Sequence, residues 1–591
     1  MYYKLISFNG IAPILEPRLL KDEVGVTSQN VNLERGNLNP LFTNGSYANL
    51  NASTITSYYQ YKFGGTTYNL EFDDDVNVQP GPIADDAFDR LYWTGQTFPR
   101  MASSTQITTG GSGAYPRSSF RLGIEKPANT PAAATPTGTD DGTQIKYSTA
   151  YVYTFVSAFG EEGPPSSPSN VVTKVDGQSV VVSNLSTTAA KSDTNYGGGS
   201  TGTKRIYRSN TGSNTTDFQF VAEVSMGTTS YTDTKNNDEL GEIIPSTFWI
   251  APPDDDSSLY PNGQMKGLTA IGNGIFAGFS GKRLCFSEPF LPHAWPVAYR
   301  ITLEDEIVGI AMAGNVLFIG TKGTNYIAAG TDPQAMTIQK LEAAEPLLYK
   351  RSLVDMGGYC IYSGPDGLIA VENGQVTNLT QGLISPDQWK GTYVVQSAGM
   401  HEGKYVGQYS LPGQTPQAII FDIRADVNAL TTVDTLLNNL ASTNRGFYTD
   451  PDTNQLFLIN KPASGNCTVE SFDDSATDTK RTLVFKSKEF VLPRPSSMNF
   501  VKVEADSYAG AGVTVKVFGD GTEIFDATIT ASGSVFSVTG SAPTSFSATQ
   551  IQEPILRLPT GIHKVYQVEV TSANPIHEIC IGESIDELRG I

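Results

Sequence analysis

The sequence predicts an all-β protein: a β-propeller carrying an inserted fibronectin type III-like β-sandwich and closed by a second, C-terminal β-sandwich. Three observations predict it. The 591 residues include 57 Gly and 34 Pro, with 10% aromatic and only 17% charged residues, a composition of short strands and tight turns rather than long charged helices. A glycine-centred hairpin pattern recurs along the middle of the chain, and strongly alternating strands lie on both sides of it.

Taken in order, residues 1–126 form an N-terminal segment and the first propeller blade, with "YYQYKFGGTTYNLEF" reading as a hairpin around Gly64. The Pro/Ala/Thr-rich connector "PANTPAAATPTGTDDG" then opens an insertion spanning 127–250. Within it Tyr151, Tyr153 and Phe155 alternate along one strand, and Phe218, Phe220, Ala222 and Val224 along another, the pattern of a small sandwich. Its compactness predicts a separately folding unit whose ends lie close together.

The remaining blades occupy 251–480. The pattern appears as "LTAIGNGIFAGF", "IAMAGNVLFIGT", "LVDMGGYCIYSG" and "SAGMHEGKYVGQYS", with turn glycines Gly272, Gly314, Gly357 and Gly403 at intervals of 42 to 46 residues. That period belongs to four-stranded propeller blades. A fifth copy, "TDPDTNQLFLIN", turns near Asn454, so five or six blades are expected, the first detached in sequence. The segment "ADVNALTTVDTLLNNLASTN" fits either a helical stripe through Val427, Leu430, Val433, Leu437 and Leu440 or a Thr-rich strand. From 481 to 591 the blade rhythm gives way to long alternating strands, the C-terminal sandwich.

The reactive side chains read mostly as structure. Cys285 follows a strand and a turn, and His293 lies beyond Pro289 and Pro292, so a Cys–His pair is not indicated. Gly198, Ser200 and Gly202 match a nucleophile elbow in letters only, inside a low-complexity loop. Asp450, Asp452 and Asn454 share the first spacings of a calcium loop, but Lys461 stands where its glutamate belongs. Six glycosylation-type triplets, starting at Asn44, Asn51, Asn184, Asn214, Asn378 and Asn466, follow from an Asn/Ser/Thr-rich chain without a secretory signal. No catalytic, cofactor or metal residue is assigned, and "SGPDGLIAV" lacks the Asp and Trp of sialidase-type propeller turns.

A net charge of −20 argues against a protein that grips nucleic acid through a basic groove, though not against one past which DNA slides. The acidic runs Asp73, Asp74, Asp75 and Asp254, Asp255, Asp256 are candidates for lining such a channel, against a reading as solvated loop tips. Four widely spaced cysteines fit a reducing compartment, and no apolar run is long enough to span a bilayer. A soluble chain made in a bacterial cytoplasm is expected.

Several stretches resemble the tail nozzle, or tail tubular protein B, family of short-tailed bacteriophages. The start "FNGIAPILEPRLLKDEVGVTSQNVNLERGNLNP" is similar to that family's entry segment, and "GNGIFAGFSGKRLCFSEPFLPHAWP", "IVGIAMAGNVLFIGTKGTNYIAAG" and "GGYCIYSGPDGLIAV" to its blade segments. The end "HEICIGESIDELRGI" is similar to its terminal strand. The resemblance implies a non-enzymatic virion protein without cofactor, assembled in the host cytoplasm into a homo-oligomeric ring of six copies. Its implied partners are the head-to-tail adaptor and tail fibre or needle proteins, with phage DNA passing along the axis during ejection. A glycan-binding or glycan-cleaving propeller of a phage fibre or bacterial cell is the alternative. A carboxylate pair with aromatic platforms in a pocket would mark it.

Overall fold

The computed structural model describes residues 1–197, 201–211, 216–423, 429–442, 445–533 and 535–589. Gly198, Ser200, Asn214 and Val427 of the sequence reading lie outside the described residues. The chain is all-β: a propeller, an inserted β-sandwich and a C-terminal β-sandwich, and among the described residues the helices are short pieces such as Ser104–Thr108 and Ile585–Arg589.

Five blades are consecutive antiparallel four-stranded sheets. Blade 2 is Asn77–Pro80, Leu91–Thr94, Arg100–Ala102 and Phe120–Arg121, and blade 3 begins after the insertion with Lys266–Ala270 and ends at Ile301–Thr302. Blade 4 runs from Ile307–Ala313 to Thr337–Lys340, blade 5 from Val354–Asp355 to Gln375–Asn378, and blade 6 from Ser397–His401 to Ala429–Val433. Blade 7 takes three strands from Phe447–Thr449 to Thr468–Ser471 and borrows its outer strand, Gly45–Asn49, from the other end of the chain. Blade 1 is the bare hairpin Ser57–Phe63 and Thr66–Phe72, wedged between blades 7 and 2.

The ring thus has seven members rather than the five or six expected. Two were hard to count: blade 1 is half a blade, and blade 2 replaces the glycine hairpin by the ten-residue loop 81–90. Side chains close the ring on both sides of blade 1. Tyr58 packs with Phe457, Ile459 and Val469 of blade 7, and Leu70 and Phe72 pack with Leu91 and Trp93 of blade 2. Burying such apolar faces is the main stabilising term for stacked sheets.

The repeat glycines sit at one place in successive blades, the turn between first and second strands. Gly272, Gly314, Gly357 and Gly403 all have positive φ, as do Gly64 in blade 1 and Asn454 in blade 7. The turn in blade 6 pairs Glu402 (φ 46) with Gly403 (φ 78), the doubly left-handed geometry that tight hairpins need. The ambiguous segment forms the strand Ala429–Val433, paired with Gln417–Asp422. Leu436 and Leu437 follow it into the core between blades 6 and 7.

The insertion is two-layered. Ala132–Ala133, Val180–Ser183 and Tyr231–Asp233 make one sheet; Tyr151–Val156, Thr203–Thr211 and Thr216–Ser225 make the other, flanked by the Tyr147–Thr149 and Val172–Lys174 pair. Tyr151, Tyr153, Phe155, Ile206 and Val221 fill the space between.

The N-terminal segment belongs structurally to the far end of the chain. Tyr2–Leu5 is an edge strand on Ile576–Gly582 in the C-terminal sandwich. Thr27–Gln29 bridges Ala429–Val433 of blade 6 and Leu483–Lys486 of the sandwich, so a single sheet runs from the propeller into the C-terminal domain. Leu5, Phe8, Val31 and Leu38 enter the sandwich core beside Val513, Val570 and Ile579. In the entry segment, left-handed Asn30 donates to Thr432 O (2.7 Å) and Thr482 O (2.9 Å), tying the two domains at one residue.

Candidate functional site

Propeller geometry brings the seven innermost strands together at one axis, and a cavity of about 170 Å³ opens there. Each blade contributes to its wall: Ser57, Asn77, Gly267, Gly309, Leu353, Ala398 and Phe447, in ring order. Two wall positions, Gly267 and Gly309, are glycine, and Ala398 and Phe447 each adjoin one. A Cβ on Gly446 would stand 3.0 Å from the Arg351 guanidinium.

Into this cavity project Asp75, Lys350 and Arg351. Asp75 ends the turn from blade 1 into blade 2, and the two cations lie on the short helical turn Lys350–Ser352 that leads into blade 5. Lys350 Nζ and an Arg351 terminal nitrogen each stand 3.2 Å from the same carboxylate oxygen, Asp75 Oδ1. Arg351 also donates to Thr56 O (2.8 Å) and Ser57 Oγ (3.3 Å). Burial lowers the pKa of Lys350 and of Arg351 against the pull of Asp75. For Asp75, burial pushes the carboxyl up, but the two cations outweigh it and hold it below its ordinary value.

The acidic runs therefore divide. Asp75 lines the propeller's own axial cavity, whereas Asp73 accepts from Thr54 Oγ1 (2.6 Å) at an exposed turn and Asp74 is exposed beside it. Asp254 is buried rather than a solvated loop tip. It pairs with Lys191 of the insertion and with Arg121 of blade 2 (3.4 Å), which also holds Asp255 (2.7 Å). Asp256 turns back to accept from Ser258 N (3.0 Å). This cluster fastens the insertion to its host, as does the buried pair Arg90–Glu161 (2.8 Å). A side chain committed to such a pair is not available to face a partner.

A second depression, about 290 Å³, lies where blades 7, 1 and 2 meet. Tyr59, Tyr61 and Tyr448 line it together with Asp85, Asp86, Asp89, Asp450 and Asp452. The calcium-like spacing of Asp450 and Asp452 finds its cation in the chain itself. Lys62 Nζ sits 2.8 Å from Asp450 Oδ1 and 2.6 Å from Asp452 Oδ2. Burial raises the Asp450 carboxyl, but its bonds from Lys62 and Thr453 prevail and lower it; Asp86 is lowered likewise by Arg90.

Cys285 is buried in blade 3, and burial pushes its thiol up to about 11, the opposite of an activated nucleophile. His293 is also buried, at the junction with the insertion, 3.8 Å from Glu161 and edge-on to the Trp249 ring. Among the described residues no group of three or more His, Cys, Asp or Glu is placed to hold a metal, and no helix is long and apolar enough to cross a membrane. Sequence reasoning missed Lys350 and Arg351 entirely; their only signal was an adjacent basic pair between two blade repeats.

No family model and no curated protein matches the chain. Among solved structures it is similar to the extracellular domain of a one-component system from B. thetaiotaomicron, with 8% identity and a TM-score of 0.27 over 86% of this chain and 47% of that one. The chain thus spans about half the length of that relative. It is also similar to a GH43 glycoside hydrolase with engineered endo-xylanase and exo-arabinofuranosidase activity (10% identity, TM-score 0.20, 55% of this chain and 98% of that one). AztD from Citrobacter koseri is a third (9% identity, TM-score 0.25, 71% and 98%).

Proposed function

We propose that this chain is a non-enzymatic structural subunit of a short-tailed bacteriophage tail, forming the ring-shaped nozzle below the adaptor at the portal vertex. The observation that carries this reading is the way the chain ends are knitted. Residues 1–49 supply an edge strand to the C-terminal sandwich, a bridging strand between sandwich and blade 6, and the closing strand of blade 7. Force applied to either domain passes through a continuous hydrogen-bonded sheet, as a tube subunit under the pressure of packaged DNA requires. The motif resemblance over nearly the whole chain points the same way, and closed rings arise from heterologous contacts between identical subunits. Cryo-electron microscopy of the chain mixed with portal–adaptor particles tests the reading: density added as a ring at the distal face supports it, and unaltered particles refute it.

A second reading, glycan binding, is favoured by the depression between blades 7, 1 and 2, where tyrosine faces stand beside carboxylates. Two of its acids, Asp86 and Asp450, do not suit the general-acid role in cleavage. A glycosidase general acid needs a raised pKa, and both Asp86 and Asp450 are lowered by cationic partners. Glycan-array binding that is lost on Tyr59→Ala and Tyr448→Ala would support this reading; a blank array would exclude it.

A further inference from the structure

The axial cavity carries more positive charge than its own carboxylate can balance. Lys350 and Arg351 converge on one oxygen of Asp75, and the further charges acting on them include Lys266, which weakens the charged form of Lys350, and Arg445, which does the same to Arg351. Arg445 is anchored to Ile55 O beside the blade 1 strand, and Lys266 is exposed immediately before Gly267 in the wall. Two cations thus share one carboxylate oxygen, with Lys266 acting on Lys350 and Arg445 on Arg351 from outside the cavity lining, in a chain whose net charge is −20. Two of them are held in fixed orientation: Arg351 by Thr56 O and Ser57 Oγ, Lys350 by Asp75. A Cβ at Gly309 would stand 3.5 Å from Lys350 Cγ and one at Gly446 3.0 Å from the Arg351 guanidinium, so glycine at these two positions leaves the cations room.

We propose that this cavity binds a small tetrahedral oxyanion of the inorganic phosphate class, contacted by Lys350 and Arg351 and attracted by Lys266 and Arg445. Charge-assisted bonds from a guanidinium and an ammonium are the usual way such an anion is held, and they strengthen where water is restricted. The bound anion supplies the countercharge that burial makes valuable to Lys350.

Thermal unfolding and titration calorimetry of the full chain with sodium phosphate, against sodium chloride at matched ionic strength, test it. Phosphate is expected to raise the unfolding midpoint saturably, with one site per chain. Lys350→Met is expected to weaken binding about tenfold or more, the loss of one charged hydrogen bond. Because that change touches a packed residue, Lys266→Ser, at an exposed position next to wall residue Gly267, serves as the second variant, with an unchanged fold and a several-fold weaker site. A phosphate effect no larger than that of chloride overturns the proposal. So does saturable binding that both variants retain at wild-type affinity, which would place the anion elsewhere.

Discussion

Gln29 pairs in parallel with Thr432 on one side and antiparallel with Val484 on the other, so one N-terminal residue joins propeller and sandwich in a single sheet. The register brings fully buried Leu38 against Ile576, with backbone bonds of 3.1 and 3.0 Å in both directions. Leu38→Ala is expected to lower stability by about 2–5 kcal/mol, as for other large-to-small changes in a packed core. Denaturant unfolding measures it. A loss below about 0.5 kcal/mol, the range of surface changes, would mean that the segment is an appendage.

The blade-turn glycines divide into two classes that substitution should separate. Gly314 has φ 68, and a Cβ there would stand 2.8 Å from Gly358 O, whereas Gly357 has φ 93 with open space around it. Left-handed backbone costs a non-glycine residue about 1–2 kcal/mol, so Gly357→Ala should show that cost alone and Gly314→Ala more. Equal midpoints for the two variants would contradict the assigned turn geometry.

Lys62 supplies the countercharge that Asp450 and Asp452 share. Lys62→Ala is expected to leave buried Asp450 short of countercharge and lower the unfolding midpoint, with calcium restoring part of the loss in the variant alone. Calcium stabilising wild type and variant equally would count against the lysine as the native cation.

Burial lowers the pKa of His293 from its ordinary 6.5, with Glu161 opposing. The unfolded chain therefore binds a proton at a higher pH than the folded one. The stability contributed by the neutral ring is present above about pH 6.5 and falls as the pH drops toward the folded pKa. His293→Gln should flatten that part of the stability–pH curve in chemical denaturation between pH 7 and 5. A curve with unchanged slope would assign the acid lability to carboxylates instead.

How far the fold was legible depended on what each element used to specify itself. The glycine hairpins of blades 3 to 6 repeat because a left-handed turn admits few residue types, and the copies at Gly64 and Asn454 carried the same signal. Blade 2 was silent because its first turn is a long polar loop, and the inner glycines Gly267 and Gly309 look like any others until the axis exists. The insertion's alternating aromatics gave its sandwich. Its buried bonds to the host, Glu161 to Arg90 and Lys191 to Asp254, join residues 71 and 63 positions apart and leave no local pattern. Removing residues 128–245 would therefore cost Arg90 and Asp254 a partner each. The axial cluster was half legible: the acidic run marked Asp75, but Lys350 and Arg351 lie some 275 positions away in a short turn and meet it only once the ring is built.

The most direct test of the nozzle reading is the state of assembly on the portal. Cryo-electron microscopy of portal–adaptor particles incubated with the purified chain should show a closed ring of identical subunits, six by the family resemblance, with an axial opening wide enough for duplex DNA. Particles that stay bare while the chain remains monomeric at saturating concentration would contradict the account.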